Sequence, residues 1–310
     1  MAGMRISVII VTRYRPQLLR ACLVHLEQQT LAPQETIVVD SSDNDDSQAV
    51  LDDFPWVKRL RIQQAGRTST CQARNLGIRH AKGDLIVFLD DDCMAPRDWL
   101  SRLMAACTAP DIGIVGGRWI DQYEASRVRL QDPRVGILQV DGYITTNFVL
   151  DPGEIVEVDH LRGGNIAFRR EALDQVGLFD PHYDRCLGLL EDTDLCVRIK
   201  QNGWRLLYQP EAVVEHLGGA RRDYKRGVPF DPRYVIRTSR GYAYLFFKNF
   251  GYNYYTFKNI LGGRQILYIK FFLESPRWPT FRAIWLYGLG AWWGLADSLG
   301  VCLRWMLRRE

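Results

Sequence analysis

A five-residue apolar run followed by three aspartates is the feature that most constrains the fold of this chain. The run spans Leu85–Leu89, and the aspartates are Asp90, Asp91 and Asp92. A continuously apolar strand is typical of a parallel sheet that is buried on both faces. Three adjacent carboxylates repel one another unless a positive group lies among them. A divalent cation that holds a diphosphate is one such group, because hard cations bind carboxylate and phosphate oxygens together.

Two other interpretations fit the triplet when it is considered alone. It could be a solvated acidic turn that caps a helix starting near Pro96, or Asp90 and Asp92 could form the Asp-x-Asp motif of a phosphatase. The choice depends on the order of the elements around the triplet.

The first third of the chain alternates strand and helix signals. We predict strands over residues 6–11, 36–39, 57–62 and 85–89, and helices over residues 16–29 and 70–82. Between them, residues 40–46 read as a polar loop. Repeated β-α units predict right-handed crossovers and a mainly parallel sheet flanked by helices, with a site at the carboxyl ends of its strands. Later signals are weaker: strands at 113–115, 155–158 and 166–168, and helices at 171–176 and 191–202.

The chain has 310 residues and a net charge of +4, but the charge is unevenly distributed. Residues 220–310 hold 16 Lys and Arg against 5 Asp and Glu, so residues 1–219 carry −7. Within that C-terminal part, the span from Tyr234 to Phe272 holds 13 of the 27 Phe and Tyr of the chain. We therefore predict an α/β domain over 1–219 and an α-helical, aromatic and basic extension over 220–310. Seven cysteines without a Cys-x-x-Cys pair indicate reduced, buried thiols in the cytoplasm, and no signal peptide is expected.

Residues 283–303 are long and apolar enough to raise the question of a membrane. A carboxylate near the middle of a spanning helix, here Asp297, costs roughly 2.5–3.5 kcal/mol. Basic and aromatic side chains favour an in-plane helix at an anionic leaflet. Insertion, ordinary helical packing and assembly into a homo-oligomer stay open as alternatives.

The segments, taken in order, resemble the inverting family 2 glycosyltransferases, whose nucleotide-sugar domain has the Rossmann-like GT-A fold. The motifs that carry the resemblance are residues 6–30, IVVDSSD at 37–43, ARNLGI at 73–78, FLDDD at 88–92, GGNIAFRRE at 163–171 and EDTDL at 191–195. The resemblance covers about residues 4–220. It argues against the phosphatase, because the triplet lies behind two β-α units that a phosphatase does not need.

The resemblance implies a role for each of several residues. In the donor site, Thr12 and Tyr14 would line the nucleobase pocket, Asp40 would accept a hydrogen bond from a uracil-type ring, Arg74 would face the diphosphate and Asp91 would contact the ribose. Asp92 would bind Mn²⁺ or Mg²⁺, with His216 as a further ligand. Asp192 would be the general base, and Glu191, Gly164 and Asn165 would bind the acceptor.

Four of these residues also have a structural alternative. His216 could be a structural or solvated histidine. Tyr14 could be a packing residue, Arg74 could pair with the acidic triplet, and Asp192 could cap its helix. The family often has Asn where this chain has Arg15, which could add positive charge near the phosphates or point to solvent.

The resemblance implies a metal-dependent enzyme that transfers a sugar from a nucleoside diphosphate, with UDP favoured, to a saccharide or lipid-linked saccharide. We expect it in the cytoplasm, peripheral at the inner face of the cell membrane, in cell-surface polysaccharide or glycoconjugate synthesis. A nucleotidyltransferase is disfavoured because the first loop lacks glycine, and nucleic acid is not an expected partner. A non-catalytic saccharide-binding or scaffold protein is the alternative, because fold does not fix function.

Overall fold

The computed structural model describes residues 4–62, 70–120, 133–139, 144–186, 190–217, 232–252 and 278–306. The chain divides into two compact units. The first unit comprises Met1–Ile137, Thr145–Asp180 and Leu195–Ala220, and the second comprises Leu138–Ile144, Pro181–Asp194 and Arg221–Glu310. The predicted domain boundary at 219/220 lies outside the described residues and stays a prediction.

The first unit is built on a mixed sheet that confirms the predicted α/β class. Its strands are β1 (Ile6–Thr12), β2 (Glu35–Asp40), β3 (Val57–Arg61), β4 (Leu85–Leu89), β5 (Cys93–Met94) and β6 (Ile112–Ile120). Of the later strands, β9 (Val156–Glu157), β10 (Asn165–Arg169) and β11 (Arg205–His216) join the same sheet, whereas β7 (Ile137–Leu138) and β8 (Ile144–Thr145) form a separate two-stranded sheet. The order in the main sheet is β3-β2-β1-β4-β10-β6-β11-β5, with β9 beside β11.

The strands β1 to β4 form the parallel part of this sheet. β1 pairs in parallel with both β2 and β4, and β2 pairs in parallel with β3. All five residues of β4 are buried, as its apolar sequence predicts. The carboxyl ends of β1, β2 and β4 therefore lie at one edge of the sheet.

Helices follow the strands in the expected alternation. They are α1 (Pro16–Glu27), α2 (Asp46–Leu51), α3 (Thr70–His80), α4 (Trp99–Ala105), α5 (Arg170–Val176), α6 (Glu191–Gln201), α7 (Pro232–Phe250) and α8 (Trp278–Met306). The predicted polar loop at 40–46, which was also expected to supply helix caps, leads into the helix α2. The helix itself was not predicted, since its polar first turn gave no helical periodicity.

The remaining strands depart from the sequence prediction in direction and length. β10 runs antiparallel between β4 and β6. β6 has nine residues where only 113–115 were predicted, because its glycines lower strand propensity. A Cβ at Gly116 would meet Leu161, and one at Gly117 would meet the carbonyl of Ala212. These two glycines therefore serve close packing within the sheet.

The second unit is centred on the helices α7 and α8, as the predicted helical extension requires. The short 3-10 helix Pro181–Cys186 packs on α7, where the ring of His182 stacks on that of Tyr244 at 4.3 Å. In the described part of the chain, no helix is both long and apolar enough to cross a membrane.

Candidate functional site

Polar side chains from three neighbouring strands converge at the carboxyl edge of the parallel strands. Thr12 ends β1 and is paired in register with Asp40, which ends β2. The Thr12 hydroxyl donates a 2.7 Å hydrogen bond to Oδ2 of Asp91, two residues beyond β4. The structure thus brings together Thr12, Asp40 and Asp91, which the sequence placed in one donor site.

Asp40 has a buried oxygen that is available for a ligand. Its Oδ1 accepts a hydrogen bond from the backbone N–H of Ser42 at 2.9 Å. Its Oδ2 is buried and has no hydrogen-bond partner among the residues that the structure describes. Leaving a buried carboxylate oxygen unpaired is costly, so a hydrogen-bond donor on a bound ligand would stabilise this atom.

Arg15 places a positive charge on the acidic triplet. One terminal nitrogen, Nη1, lies 3.0 Å from Oδ1 of Asp91 and 2.9 Å from Oδ2 of Asp92. Burial raises the pKa of Asp91 to about 7, although Arg15 opposes that rise. The Arg15 side chain thus contacts two carboxylates and does not simply point to solvent, and its role near the phosphates stays a prediction.

Asp92 is also held by His216, at the end of β11. His216 Nε2 lies 3.4 Å from Oδ1 of Asp92. Burial opposes ionisation of Asp92, but the hydrogen bond and charge of His216, together with the charge of Arg15, outweigh it and lower the pKa of Asp92. The His216 ring meets that of Trp119 edge to face at 5.1 Å, which fixes its orientation.

The chemistry of Asp92 and His216 fits a divalent metal that is completed by other ligands. Carboxylate oxygen and imidazole nitrogen are common ligands, and a separation of 3.4 Å allows both to bind one ion at about 2.1 Å. Within the described ranges, no group of three or more His, Cys, Asp and Glu is arranged to hold a metal. Two protein ligands are nevertheless typical of ions that also bind substrate phosphates.

Arg74 pairs with the first aspartate of the triplet. Its Nη2 lies 3.7 Å from Oδ1 of Asp90, and its guanidinium lies over the rings of Phe88 and Phe179 at 5.8 and 5.3 Å. The structure therefore shows the ion-pair alternative for Arg74, and its predicted contact with the diphosphate stays a prediction.

Tyr14 lies beside the three-strand edge in a strained conformation. Its φ of 54° is in the left-handed region, and its N–H donates to Ser42 Oγ at 2.8 Å. The side chain is 45% exposed, so it is not a core packing residue. Strain of this kind costs about 1–3 kcal/mol and concentrates at functional sites.

The two predicted acceptor residues next to β10 have different surroundings. A Cβ at Gly164 would collide with the Asp90 carboxyl, so glycine is needed for this close approach. Asn165 is fully buried; its Oδ1 accepts from Trp99 Nε1, and its Nδ2 donates to the carbonyls of Arg118 and Ala212. The side chain of Asn165 thus ties strands together inside the sheet, which is a structural role.

Glu191 and Asp192 belong to the second unit, in the first turn of α6. Glu191 is buried, and Asp192 Oδ1 accepts a hydrogen bond from the N–H of Thr193 at 2.7 Å. The preceding residue, Leu190, has φ 72°, a costly conformation for a leucine. The roles of Glu191 and Asp192 stay predictions.

Comparison with known proteins gives the family. Residues 7–177, more than half of the chain, match the sequence model described as glycosyl transferase family 2. The chain belongs to this family. The membership confirms the resemblance that the ordered motifs carry.

Two relatives show how broad the family is. The chain is 27% identical over 229 residues to the inactive polypeptide N-acetylgalactosaminyltransferase-like protein 5 of Mus musculus, covering 67% of this chain and 51% of that protein. It is 26% identical over 229 residues to the glucosyl-dolichyl phosphate glucuronosyltransferase of Haloferax volcanii, covering 69% of each. The chain spans about half the length of the mouse relative, so the function of that whole protein cannot be assigned to this chain.

A solved structure shows the same fold. A mannosyltransferase from Pyrobaculum calidifontis, in complex with GDP-Man and Mn²⁺, superposes with a TM-score of 0.57 at 20% identity. The match covers 96% of this chain and 87% of the mannosyltransferase. At this identity the likeness supports the GT-A fold alone.

Arg15 is the site residue whose function the sequence left open. Its signal was an arginine in the loop after the first strand, at the position where the family often has Asn. The sequence could not name its partners, because Asp91 and Asp92 lie 76 and 77 residues further along the chain.

Proposed function

We propose that the protein is an inverting, metal-dependent glycosyltransferase that uses a nucleoside diphosphate sugar, with UDP as the favoured nucleotide. The observation that carries the proposal is the buried Oδ2 of Asp40, which has no hydrogen-bond partner among the described residues and lies beside Thr12 and the acidic triplet. A uracil ring N–H is a donor of the kind that this oxygen lacks, and Asp91 is close enough to Thr12 to bind the adjoining ribose.

A divalent metal, Mn²⁺ or Mg²⁺, would be held by Asp92 and His216, and when bound it would neutralise the charge that develops on the departing diphosphate. Arg15 adds a positive charge at the same place, since it already contacts Asp91 and Asp92. Arg74, held near Asp90 by an ion pair, would supply another. Together with a bound divalent metal, these two arginines would stabilise a leaving group with phosphate oxygens.

Asp192 is the proposed general base. In the transfer, the acceptor oxygen forms a bond to C1 of the sugar while the bond from C1 to the phosphate oxygen breaks. The nucleoside diphosphate keeps the electron pair, and the hydroxyl proton passes to the Asp192 carboxylate. Asp192 lies in the first turn of α6, where the helix dipole stabilises an ionised carboxylate. Attack opposite the leaving group inverts the configuration.

The proposed acceptor is a hydroxyl of a saccharide or lipid-linked saccharide, bound with the help of Glu191 and Gly164. The name of the Haloferax relative includes a lipid-linked sugar, glucosyl-dolichyl phosphate, which supports this class of acceptor. The basic and aromatic composition of residues 220–310 supports action at the inner face of a cell membrane, in the synthesis of cell-surface polysaccharide or glycoconjugates.

A non-catalytic saccharide-binding or scaffold protein is the second candidate. It is kept because one relative, the mouse protein, is named as inactive. The two candidates differ in what Asp192→Asn does. An enzyme keeps nucleotide binding and loses transfer, whereas a scaffold has no transfer to lose.

The test begins with calorimetry of UDP, dTDP and GDP, with and without Mn²⁺. We expect UDP to bind the wild type only with Mn²⁺ and not to bind Asp92→Asn. Asp43→Asn is the matched control, because Asp43 is an exposed carboxylate in the loop after β2. Release of UDP from UDP-sugars by the wild type, abolished in Asp192→Asn, would support the enzyme. Absence of binding for all three nucleotides would contradict the proposed donor site.

A further inference from the structure

The helix α8 has an apolar face that the other described residues of the second unit leave uncovered. Between Trp285 and Gly300, the residues that are not buried are, apart from Asp297, all apolar: Trp285, Gly288, Leu289, Trp292, Trp293, Ala296, Leu299 and Gly300. Trp285 is 67% exposed, Trp292 58% and Trp293 46%. Three tryptophans on one helix face are a large apolar surface to leave in water. We call residues 285–300 on this side the tryptophan face.

A basic recess adjoins the tryptophan face. It has a volume of about 380 Å³ and is lined by Arg185, Ile236, Arg237, Arg240 and Trp293. The recess thus places guanidinium groups beside one of the exposed tryptophans.

Among the residues that the structure describes, only one of the three arginines of the recess has a carboxylate partner. Arg240 is paired with Asp297, to which its Nη2 donates at 2.9 Å. For Arg185 and Arg237, the described part of the structure shows no carboxylate partner. Two arginines without counter-ions beside tryptophans match an anionic group attached to an apolar one, which is the chemistry of a phospholipid.

The geometry favours a lipid surface over a second copy of the chain. Tryptophan prefers the level of the lipid headgroups, where its ring is apolar and its N–H stays hydrated. An isologous dimer through the tryptophan face would bring the arginine cluster of one copy towards that of the other, at a cost in repulsion. An in-plane helix at an anionic leaflet has no such cost.

We infer that the tryptophan face and the basic recess together form a docking site for an anionic phospholipid leaflet. The recess holds a headgroup phosphate through Arg185 and Arg237, and the tryptophans enter the headgroup region. This inference deepens the proposed action at a membrane surface and rests on it.

The test is cosedimentation of the full chain with vesicles of phosphatidylcholine, alone or mixed with phosphatidylglycerol. We expect binding to the anionic vesicles only. The double variant Arg185→Gln/Arg237→Gln should bind about 30-fold more weakly, because each arginine contributes about 1 kcal/mol near such a surface. Trp292→Ala should weaken binding about tenfold or more through lost apolar burial.

Matched controls separate this site from general attraction to anionic lipid. Arg79→Gln/Arg97→Gln removes the same charge from exposed positions of the first unit, and Trp56→Ala removes an exposed tryptophan there. Both controls should bind vesicles like the wild type. Equal losses in test and control variants would overturn the inference.

Three further outcomes would also overturn it. Displacement from the vesicles by inorganic phosphate at constant ionic strength would make free phosphate the ligand. If the wild type self-associates without vesicles and Trp292→Ala abolishes that self-association, the tryptophan face is an interface between copies of the chain. Unchanged vesicle binding in Arg185→Gln/Arg237→Gln would show that the recess does not bind the lipid headgroup. Calorimetry of UDP on the same variants tests the donor site independently. If a variant binds UDP normally but does not bind vesicles, the docking site fails and the proposed enzyme function is unaffected.

Discussion

Arg15 and Asp92 are joined by a 2.9 Å ion pair that links the loop after the first strand to the acidic triplet. The single positive charge of the Arg15 guanidinium therefore offsets part of the negative charge of Asp91 and Asp92 within the protein. A bound divalent cation would supply positive charge at the same carboxylates.

Arg15→Gln is expected to make the protein depend on metal for part of its stability. Without Arg15, the buried aspartates lose their counter-charge, and we expect a loss of about 1–3 kcal/mol in the free energy of unfolding. Added Mn²⁺ should raise the melting temperature of Arg15→Gln more than that of the wild type. Arg20→Gln, which removes an exposed pair with Asp53, is the control. An equal Mn²⁺ shift in all three proteins would contradict this role for Arg15.

Asp40→Asn tests the buried oxygen at the end of β2. Because Oδ2 has no partner among the described residues, an amide there should change the melting temperature little. UDP affinity should fall by about 10- to 100-fold, since a hydrogen bond to a charged group contributes about 1.5–3 kcal/mol. Calorimetry of UDP measures it, with Asp43→Asn as control. A normal UDP affinity in Asp40→Asn would show that Asp40 does not contact the nucleobase.

A buried ion pair stabilises the second unit. Lys248 Nζ lies 2.9 Å from the fully buried carboxylate of Asp194, which also accepts hydrogen bonds from Tyr183 and Asn249. Lys248→Met removes this positive charge from the buried Asp194 carboxylate, and we expect about 3–5 kcal/mol of destabilisation in urea unfolding.

The control for Lys248→Met is Lys200→Met. Lys200 pairs with Asp159 at 2.7 Å, but both side chains are partly exposed, so the expected cost is about 0–1 kcal/mol. Similar unfolding free energies for the two variants would show that burial does not strengthen the Asp194 pair.

Asp297 gives the second unit a defined dependence on pH. Burial opposes its ionisation, but hydrogen bonds and charge from Arg240 and His182 outweigh burial and lower the pKa of Asp297 below 3.8. The folded state therefore binds its proton less readily than the unfolded state. The stabilisation is present above pH 3.8 and is lost as the pH falls through the lowered pKa.

Urea unfolding at several pH values between 5 and 3 checks this prediction. The stability difference between the wild type and Asp297→Asn should shrink as the pH falls through that range. Glu154→Gln, at an exposed carboxylate, should show no such convergence. A difference that stays constant with pH would mean that the charge of Asp297 does not contribute.

The sequence predicted the parallel half of the sheet because those strands have strong local signals. The apolar run of β4 and the β-branched run of β1 can each be recognised as a strand from a few adjacent residues. The short helix α2 was missed, since six residues with a polar first turn carry no clear period. The direction of β10 depends on distant strands, so no local pattern could give it.

The same distinction applies to the site. Thr12, Asp40 and Asp91 could be grouped from sequence because each follows a recognisable strand. The contact of Arg15 with Asp91 depends on how far the arginine reaches across the sheet edge, which spacing along the chain does not encode.

Two glycines of α8 decide which of its residues face outward. A Cβ at Gly290 would meet the backbone of Ile236, and one at Gly294 would meet the carbonyl of Arg240, so both lie directly against α7. Their positions, four residues apart, fix the rotation of α8 about its own axis. The direction in which Trp285 and Trp292 point is thus set by residues that never reach the surface, and a larger side chain at either glycine would turn the tryptophans without altering them.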